Sequence, residues 1–291
     1  KNKTNSNNFA QEYTNNYLEG EVIPGIMKEY SYVKEFLPTI TIEECNALIK
    51  TWVTDENFVY YLTAPKQEGY RVPTEKDVLA IYDRVRKGSY EPWVDNYKDE
   101  PLFSKELPAV TPKMTKENTV LDYKEYTLPN GVKFIVKKTE LKDDEIQMNS
   151  FAWGGTSLYS DAEFYNATST DGFIDDCGIG QFNNTQLKKK LKGVNISISP
   201  SISDLTQGFS GYCVPKDLET MLQILYMYYD SPRKDKESFD KNVDQIRNQV
   251  KFIGENPRYV FIKKFYDLIH PGDPRVILVP TEEQINSLNL D

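Results

Sequence analysis

Histidine and long apolar runs are scarce in this sequence of 291 residues, and each shortage excludes a class of function. The only histidine is His270. One imidazole cannot complete the two-histidine motifs of the common hydrolytic zinc sites, so we do not expect such a site within this chain. No stretch approaches the roughly 18 consecutive apolar residues that a transmembrane helix needs. We therefore predict no membrane span.

Basic residues are also in the minority. The chain has 44 acidic and 35 basic residues, which gives a formal net charge of −9. A nucleic-acid binder needs excess cationic side chains to release counterions, so we expect no nucleic-acid partner. Apolar residues make up 39% of the chain and aromatic residues 13%, which is enough for a folded core. At roughly 100–200 residues per domain, the length predicts two domains.

The three cysteines, Cys45, Cys177 and Cys213, are too widely spaced for a disulfide framework or a C-x-x-C ligand pair. We interpret all three as small buried apolar residues, which leaves the cellular compartment undetermined. The chain begins at Lys1 with a polar tract and no apolar signal-type segment. We expect it to be a piece of a longer protein.

Residues 1–8 are predicted to be a frayed polar end, and residues 9–88 are predicted to be mainly helical. Thr41 and Glu44 fit a capping box before a helix, and Gly88 is a typical helix end. The short aromatic run 58–62, stopped by Pro65, favours a buried strand. We interpret 1–88 as the C-terminal part of a preceding domain.

Residues 89–119 are predicted to form an extended linker, because they contain four prolines and no lasting periodicity. A second domain follows over 120–256, and Asn130-Gly131 between two β-like runs predicts a hairpin at its start. A helical tail, 257–291, is expected to lead to a further domain. The other elements predicted within 120–256 are strands at 146–153, 194–199 and 208–213 and helices at 161–177, 184–191, 218–229 and 239–253.

This order of elements predicts an α+β fold, in which helices pack on an antiparallel sheet. In the 218–229 helix, the spacing predicts an apolar stripe at Leu218, Leu222, Leu225 and Tyr229, and residues 226–229 are predicted to lie in the core. In the next helix, the spacing predicts a stripe at Phe239, Val243, Ile246, Val250 and Ile253.

The residues that could have a catalytic or binding role are better explained by their structural positions. His270 follows a helix, where an imidazole is favourably placed against the helix dipole. Asp175 and Asp176 are adjacent on a helix and point about 100° apart, so they do not form an acid/base pair. The lysine run 188–192 is interpreted as a solvated helix face. The glycine pairs at 154–155 and 178–180 are interpreted as turns.

Several segments resemble the pitrilysin/insulinase-type zinc peptidases. The segment 126–134, with Leu128-Pro129-Asn130-Gly131-Val132, is similar to the opening of domains in that family, and 199–211 and 216–222 are similar to its non-catalytic half. Residues 19–25 and 37–41 resemble the end of a preceding family domain. The resemblance implies insulinase/mitochondrial-processing-peptidase-like domains: the end of one and one complete domain.

The sequence departs from the family pattern at the helix 161–177, and the function that we expect follows from this difference. The helix at 161–177 would carry an inverted H-x-x-E-H zinc motif in a catalytic domain of this family, but here it contains no histidine. We therefore assign no catalytic, cofactor-binding or metal-ligating residue, and we predict that this chain alone is inactive. The resemblance implies a non-catalytic part of a zinc metallopeptidase, forming the wall of a clamshell chamber that encloses a peptide. The alternative is a zinc-free family member that acts as a scaffold or peptide- or protein-binding subunit.

The resemblance also supplies the expected partners and location. Zinc is expected in the catalytic domain of the parent protein and not in this chain. The partners are the remaining domains of the parent and a peptide or small protein substrate. A periplasmic or cell-envelope location follows from the family alone.

Overall fold

The chain folds as two units, residues 3–95 and residues 96–291. The computed structural model describes residues 4–54, 56–57, 59–63, 69, 71–91, 94–95, 97, 99–103, 105–254 and 256–290. In these ranges, no helix is both long enough and apolar enough to cross a membrane.

The first unit contains helices whose side chains all retain appreciable solvent exposure. Cys45 was predicted to be buried, and this is wrong, because no element in the described part of this unit covers its face of the helix. The helices are α1 (Ser6–Glu19), α2 (Ile26–Phe36), α3 (Ile42–Trp52) and α4 (Glu75–Lys87).

Local capping sets the ends of these helices. The Thr41 hydroxyl accepts from the Glu44 backbone N–H at 3.2 Å, and the Thr41 N–H donates to Glu44 Oε2 at 2.9 Å. This confirms the predicted capping box. Helix α4 starts with an equivalent pair, Thr74 and Asp77, and ends at Lys87, directly before Gly88 as predicted.

The strand predicted at 58–62 is not formed in its described part, residues 59–62. Phe58 and Pro65, which bounded that prediction, lie outside the described residues. A strand needs a partner for its backbone hydrogen bonds. The described part of the first unit contains no strand that could provide one.

A three-stranded antiparallel sheet opens the second unit. It comprises β1 (Lys113–Asn118), β2 (Tyr123–Thr127) and β3 (Lys133–Val136). The turn between β2 and β3 contains Asn130 and Gly131, and Gly131 has φ +88°, so the predicted hairpin is confirmed. Strand β1 lies within 89–119, where no element was predicted. Its polar sequence has no apolar periodicity, and it becomes a strand by pairing with β2.

The second sheet has the order β4-β6-β5 and is also antiparallel. Its strands are β4 (Ile146–Trp153), β5 (Ile196–Ile202) and β6 (Thr206–Cys213), in agreement with the predicted strands. The inner face of this sheet contributes Phe209, Met148, Ile196 and Ile198 to the main core.

In its described part, the second unit contains the helices α5 (Phe164–Cys177), α6 (Asn184–Lys190), α7 (Leu218–Asp230), α8 (Lys236–Ile253), α9 (Pro257–Ile269) and α10 (Glu282–Ser287). Helices α5 and α7 pack on the sheet, and α8 packs on α5. The α+β fold class with an antiparallel sheet is therefore confirmed.

The buried face of α7 differs from the predicted one. Met221, Ile224, Met227 and Tyr228 are buried, whereas Leu222, Tyr226 and Tyr229 are exposed. Helix α7 is apolar around most of its circumference, so spacing alone allowed two stripes. In α8, Val243 is buried and Phe239, Ile246 and Val250 of the predicted stripe pack around it. Ile253, the last residue of that stripe, is half-buried and is not part of this cluster.

The end of the chain returns to the core of the second unit. Ile285 and Leu288 are buried against Val243 and its apolar neighbours on α5 and α8. That the tail 257–291 leads to a further domain stays a prediction. Within this tail, Ile285 of α10 and Leu288, directly after α10, close a hydrophobic cluster between α5 and α8.

Candidate functional site

Helix α5 is the place where a catalytic domain of the resembled family would hold its metal. Its last turn carries Asp175, Asp176 and Cys177 but no histidine. Across the described residues, no three His, Cys, Asp or Glu side chains lie close enough together to hold a metal ion. The residues that the structure describes therefore offer no donor set that fits zinc, and we derive no chemical step through it.

The last two aspartates of α5, Asp175 and Asp176, face different partners. The Tyr228 hydroxyl donates to Asp175 Oδ1 at 3.5 Å. Asn184 and Asn242 donate their amide N–H groups to Asp176, at 3.3 and 3.0 Å. Asp176 therefore joins α5 to α6 and α8, while Asp175 faces α7.

Partial desolvation raises the pKa of Asp175, and the negative charge of Asp176 raises it further. Burial, followed by the charge of Asp175 and the hydrogen bond to it, raises the pKa of Tyr228. Both shifts result from packing within the helical layer. The hydrogen bond from Tyr228 links the end of α5 to α7.

The other two cysteines are buried, as predicted. Burial raises the pKa of both the Cys177 and the Cys213 thiol, so both favour the unreactive protonated form. The Cys177 thiol also lies 3.7 Å from the carbonyl oxygen of Asp235.

His270 lies where the sequence placed it, directly after α9. Its backbone N–H donates to the Tyr266 carbonyl at 2.8 Å, and its ring centroid is 5.9 Å from that of Tyr266. The side chain is solvent-exposed. This is the geometry of a helix C-terminus.

The glycine pairs lie in turns, and several backbone N–H groups of these turns bond to backbone carbonyls. Gly154 and Thr156 donate to the carbonyls of Leu205 and Ser203, at 2.8 and 2.9 Å. Gly155 has φ +58°, and a Cβ atom there would collide with the Ser203 carbonyl. These amides hold the β4 end against the β5–β6 turn and do not form a phosphate cradle.

The lysine run was interpreted as a solvated face, and Lys190 departs from this interpretation. Its ammonium group lies 2.6 Å from Asp99 Oδ1, and its side chain is only 20% exposed. The partners are 91 positions apart in sequence, and no local pattern signals such a pair.

The outer face of the second sheet is the best candidate for a substrate-contacting surface. Phe151 and Trp153 are 68% and 75% exposed, and their rings meet edge to face with centroids 5.6 Å apart. None of the exposed side chains on this face is charged. We define the outer sheet face as Gln147, Asn149, Phe151, Trp153, Ser199, Ser201, Ser210 and Tyr212.

This composition suits contact with a peptide. Hydroxyl and amide groups can pair with peptide N–H and C=O groups without the cost of burying a charge. Exposed aromatic rings supply apolar contact area at small entropic cost. The sequence signal that could have identified this face is the alternation in β4, which places the large aromatic residues opposite the core-facing Met148.

Two curated proteins are similar to the chain in sequence. A probable zinc protease PqqL of Haemophilus influenzae is 19% identical over 289 residues, which cover 99% of this chain and 31% of that protein. A PQQL-like zinc protease of Arabidopsis thaliana is 21% identical over 226 residues, which cover 77% of this chain and 21% of that protein. The chain thus spans less than a third of either relative's length. No family model matches it.

Solved structures show the same fold. The periplasmic protease PqqL from Escherichia coli matches with a TM-score of 0.56 and 15% identity, over 75% of this chain and 24% of that chain. The ferredoxin protease FusC, in a complex with Arabidopsis ferredoxin, matches with a TM-score of 0.54 and 13% identity. That match covers 97% of this chain and 32% of FusC.

Proposed function

Because the chain is a relative of zinc proteases of the pitrilysin/insulinase type, we propose that it is a non-catalytic part of a larger zinc metallopeptidase. In this proposal it forms part of the wall of a clamshell chamber, and the outer sheet face contacts the enclosed substrate. One observation carries the proposal: the chain aligns with a zinc protease over 99% of its length but has a single histidine.

The proposed substrate is a peptide or a small protein. FusC, a structural relative, was solved with a bound ferredoxin, which supports a small folded protein as one substrate class. The uncharged outer sheet face supports contact with main-chain and apolar groups over recognition of a particular charge. The proposed location is the periplasm or cell envelope, as for the E. coli relative.

Zinc is proposed to lie elsewhere in the parent protein. The contribution of this segment is then enclosure, because remote binding energy and water exclusion raise the reaction rate without a side chain at the scissile bond. In the longer protein, deletion of 120–291 should abolish peptide turnover and leave zinc occupancy unchanged. Full turnover after this deletion would show that the enclosure role is wrong.

A sharper experiment addresses the outer sheet face. In the longer protein, Phe151→Ala and Trp153→Ala should each raise KM for a peptide substrate by about three- to tenfold, since each removes an exposed aromatic contact. The control is Phe252→Ala, which removes an exposed aromatic side chain of α8. Equal effects of Phe252→Ala and Trp153→Ala would contradict the proposal, as would a fall in Tm with an unchanged KM.

Zinc analysis of the longer protein distinguishes the alternative. A longer protein with no bound zinc and no peptidase activity, whose peptide binding still requires Phe151 and Trp153, would be a zinc-free scaffold or binding subunit.

A further inference from the structure

We propose that residues 99–103 and 105 form a strap that is held on the second unit at three points and is released as ionic strength rises. This strap lies between α4 and β1, within the segment that the sequence predicted to be an extended linker. It is a conformational device that covers Leu102 and Phe103 while it is attached and exposes them when it is released.

The first attachment is the ion pair between Asp99 and Lys190 of α6, with 2.6 Å between Oδ1 and Nζ. The hydrogen bond from Lys190 and its positive charge lower the pKa of Asp99. Asp99 in turn raises the pKa of Lys190. Both groups are therefore charged throughout the neutral range. The Asp99 side chain is 81% exposed, so dissolved salt reaches this pair.

The middle attachment is mainly apolar. Leu102 and Phe103 pack against the main core cluster, and the Phe103 ring meets the Tyr226 ring edge to face, with centroids 5.2 Å apart. Gln181 also donates a hydrogen bond to the Pro101 carbonyl at 3.4 Å. These contacts fix the position of the strap along α7.

The third attachment is the ion pair between Lys105 and Asp230 at the end of α7, with 3.5 Å between Nζ and Oδ2. Asp230 also accepts a hydrogen bond from the Tyr226 hydroxyl at 3.2 Å. Tyr226 is therefore linked to both the middle and the last attachment.

Because the two ion pairs and the aromatic contact are each weak, loss of one of them should change the released fraction of the strap by a measurable amount. Exposed ion pairs and single aromatic pairs each change an equilibrium by only about two- to tenfold. The two ion pairs weaken as salt shortens the Debye length, whereas the ring contact does not. Release exposes the Phe103 ring, which otherwise lies against Tyr226.

Chymotrypsin cleavage after Phe103 reports the released state, because this site is blocked while the ring lies on Tyr226. Tyr226→Ala should speed this cleavage about three- to tenfold, and Tyr226→Phe, which keeps the ring, should change it less than twofold. Lys190→Ala should speed it about two- to fivefold, and the control Lys192→Ala should leave it unchanged. Cleavage after the exposed Tyr90 serves as the internal reference.

Salt provides a test that needs no destabilising variant. Raising NaCl from 0.05 to 1 M should speed cleavage after Phe103 in the unaltered chain, and the acceleration should be smaller in Lys190→Ala. The charge-swapped pair Asp99→Lys with Lys190→Asp should restore slow cleavage at low salt. The proposal is overturned if Phe103 is cut as fast as Tyr90 in the unaltered chain, if salt has no effect, or if Lys192→Ala matches Lys190→Ala.

Discussion

The Asp217 carboxylate accepts the backbone N–H of Asn195 at 2.8 Å, and this joins the start of α7 to the residue just before β5. Asp217 is a buried charged residue, 7% exposed, and Lys216 lies 3.2 Å from its Oδ2. It belongs to 216–222, one of the segments that resembled the family. The hydrogen bond gives a structural reason for an aspartate at this position.

Asp217→Ala should destabilise the second unit by about 1–3 kcal/mol, because the Asn195 N–H loses its acceptor in a partly buried site. The measurement is the free energy of unfolding from urea titration. Asp217→Asn keeps an acceptor oxygen and should cost less. An equal loss in both variants would mean that the charge, and not the hydrogen bond, is the stabilising element.

Asp175→Asn should stabilise the chain at pH 7 and have little effect below about pH 4. Folding raises the pKa of Asp175. Below the usual carboxyl pKa of about 3.9, Asp175 is protonated in both the folded and the unfolded chain, and its contribution to the free energy of unfolding is complete. As pH rises, Asp175 ionises at a lower pH in the unfolded chain than in the folded chain, so the free energy of unfolding falls. Asparagine cannot ionise and retains an oxygen for Tyr228.

The measurement for this variant is the difference in Tm from the unaltered chain between pH 3.5 and 7.5. Because Asp175 retains part of its solvent exposure, we expect a small difference with a definite sign. A difference that is independent of pH, or one that favours the aspartate at pH 7, would contradict this account.

Two glycine substitutions should have opposite effects. Gly155→Ala should destabilise the chain by more than about 1 kcal/mol, because φ is +58° and the new methyl group would collide with the Ser203 carbonyl. Gly172→Ala, within α5, meets no atom within 4 Å and should stabilise by about 0.5–1 kcal/mol. Thermal unfolding of both variants checks the pair. A stable Gly155→Ala variant would mean that the β4 end can shift away from the β5–β6 turn.

The purified chain should bind no stoichiometric zinc, since it has one histidine and three dispersed cysteines. Elemental analysis after removal of chelators measures this, and one tightly held zinc ion per chain would be the contrary result. In the longer protein, His270→Ala should change peptide turnover by less than about tenfold, or 1.4 kcal/mol. A thousandfold loss with intact folding would identify His270 as a catalytic residue.

Features set by neighbouring residues were predictable from the sequence. The Thr41–Glu44 cap and the Asn130-Gly131 hairpin each depend on a few adjacent positions, whose backbone preferences leave few alternatives. The strand expected at 58–62 illustrates the limit of this reasoning. Its composition favours a strand, but composition cannot supply a partner.

Contacts between distant positions could not be predicted in this way. The Lys190–Asp99 pair and the burial of Ile285 depend on how separate elements pack, and neither has a sequence pattern of its own. The buried side of α7 was wrong for a related reason, because an almost wholly apolar helix has no unique inward face. At α5, the missing histidines were visible in the sequence. The alternation in β4 signals the aromatic side of the outer sheet face, whereas its cross-strand neighbours depend on the register, which places Phe151 opposite Gly208.

The position of α10 in the chain also determines the order in which the second unit can mature during synthesis. Val243 and the apolar residues of α5 and α8 around it leave the ribosome before Ile285 and Leu288, which complete their cluster. Until those last residues emerge, the groove between α5 and α8 exposes apolar surface to solvent. The nascent chain is therefore most prone to aggregation or chaperone capture in the interval between synthesis of α8 and release of α10.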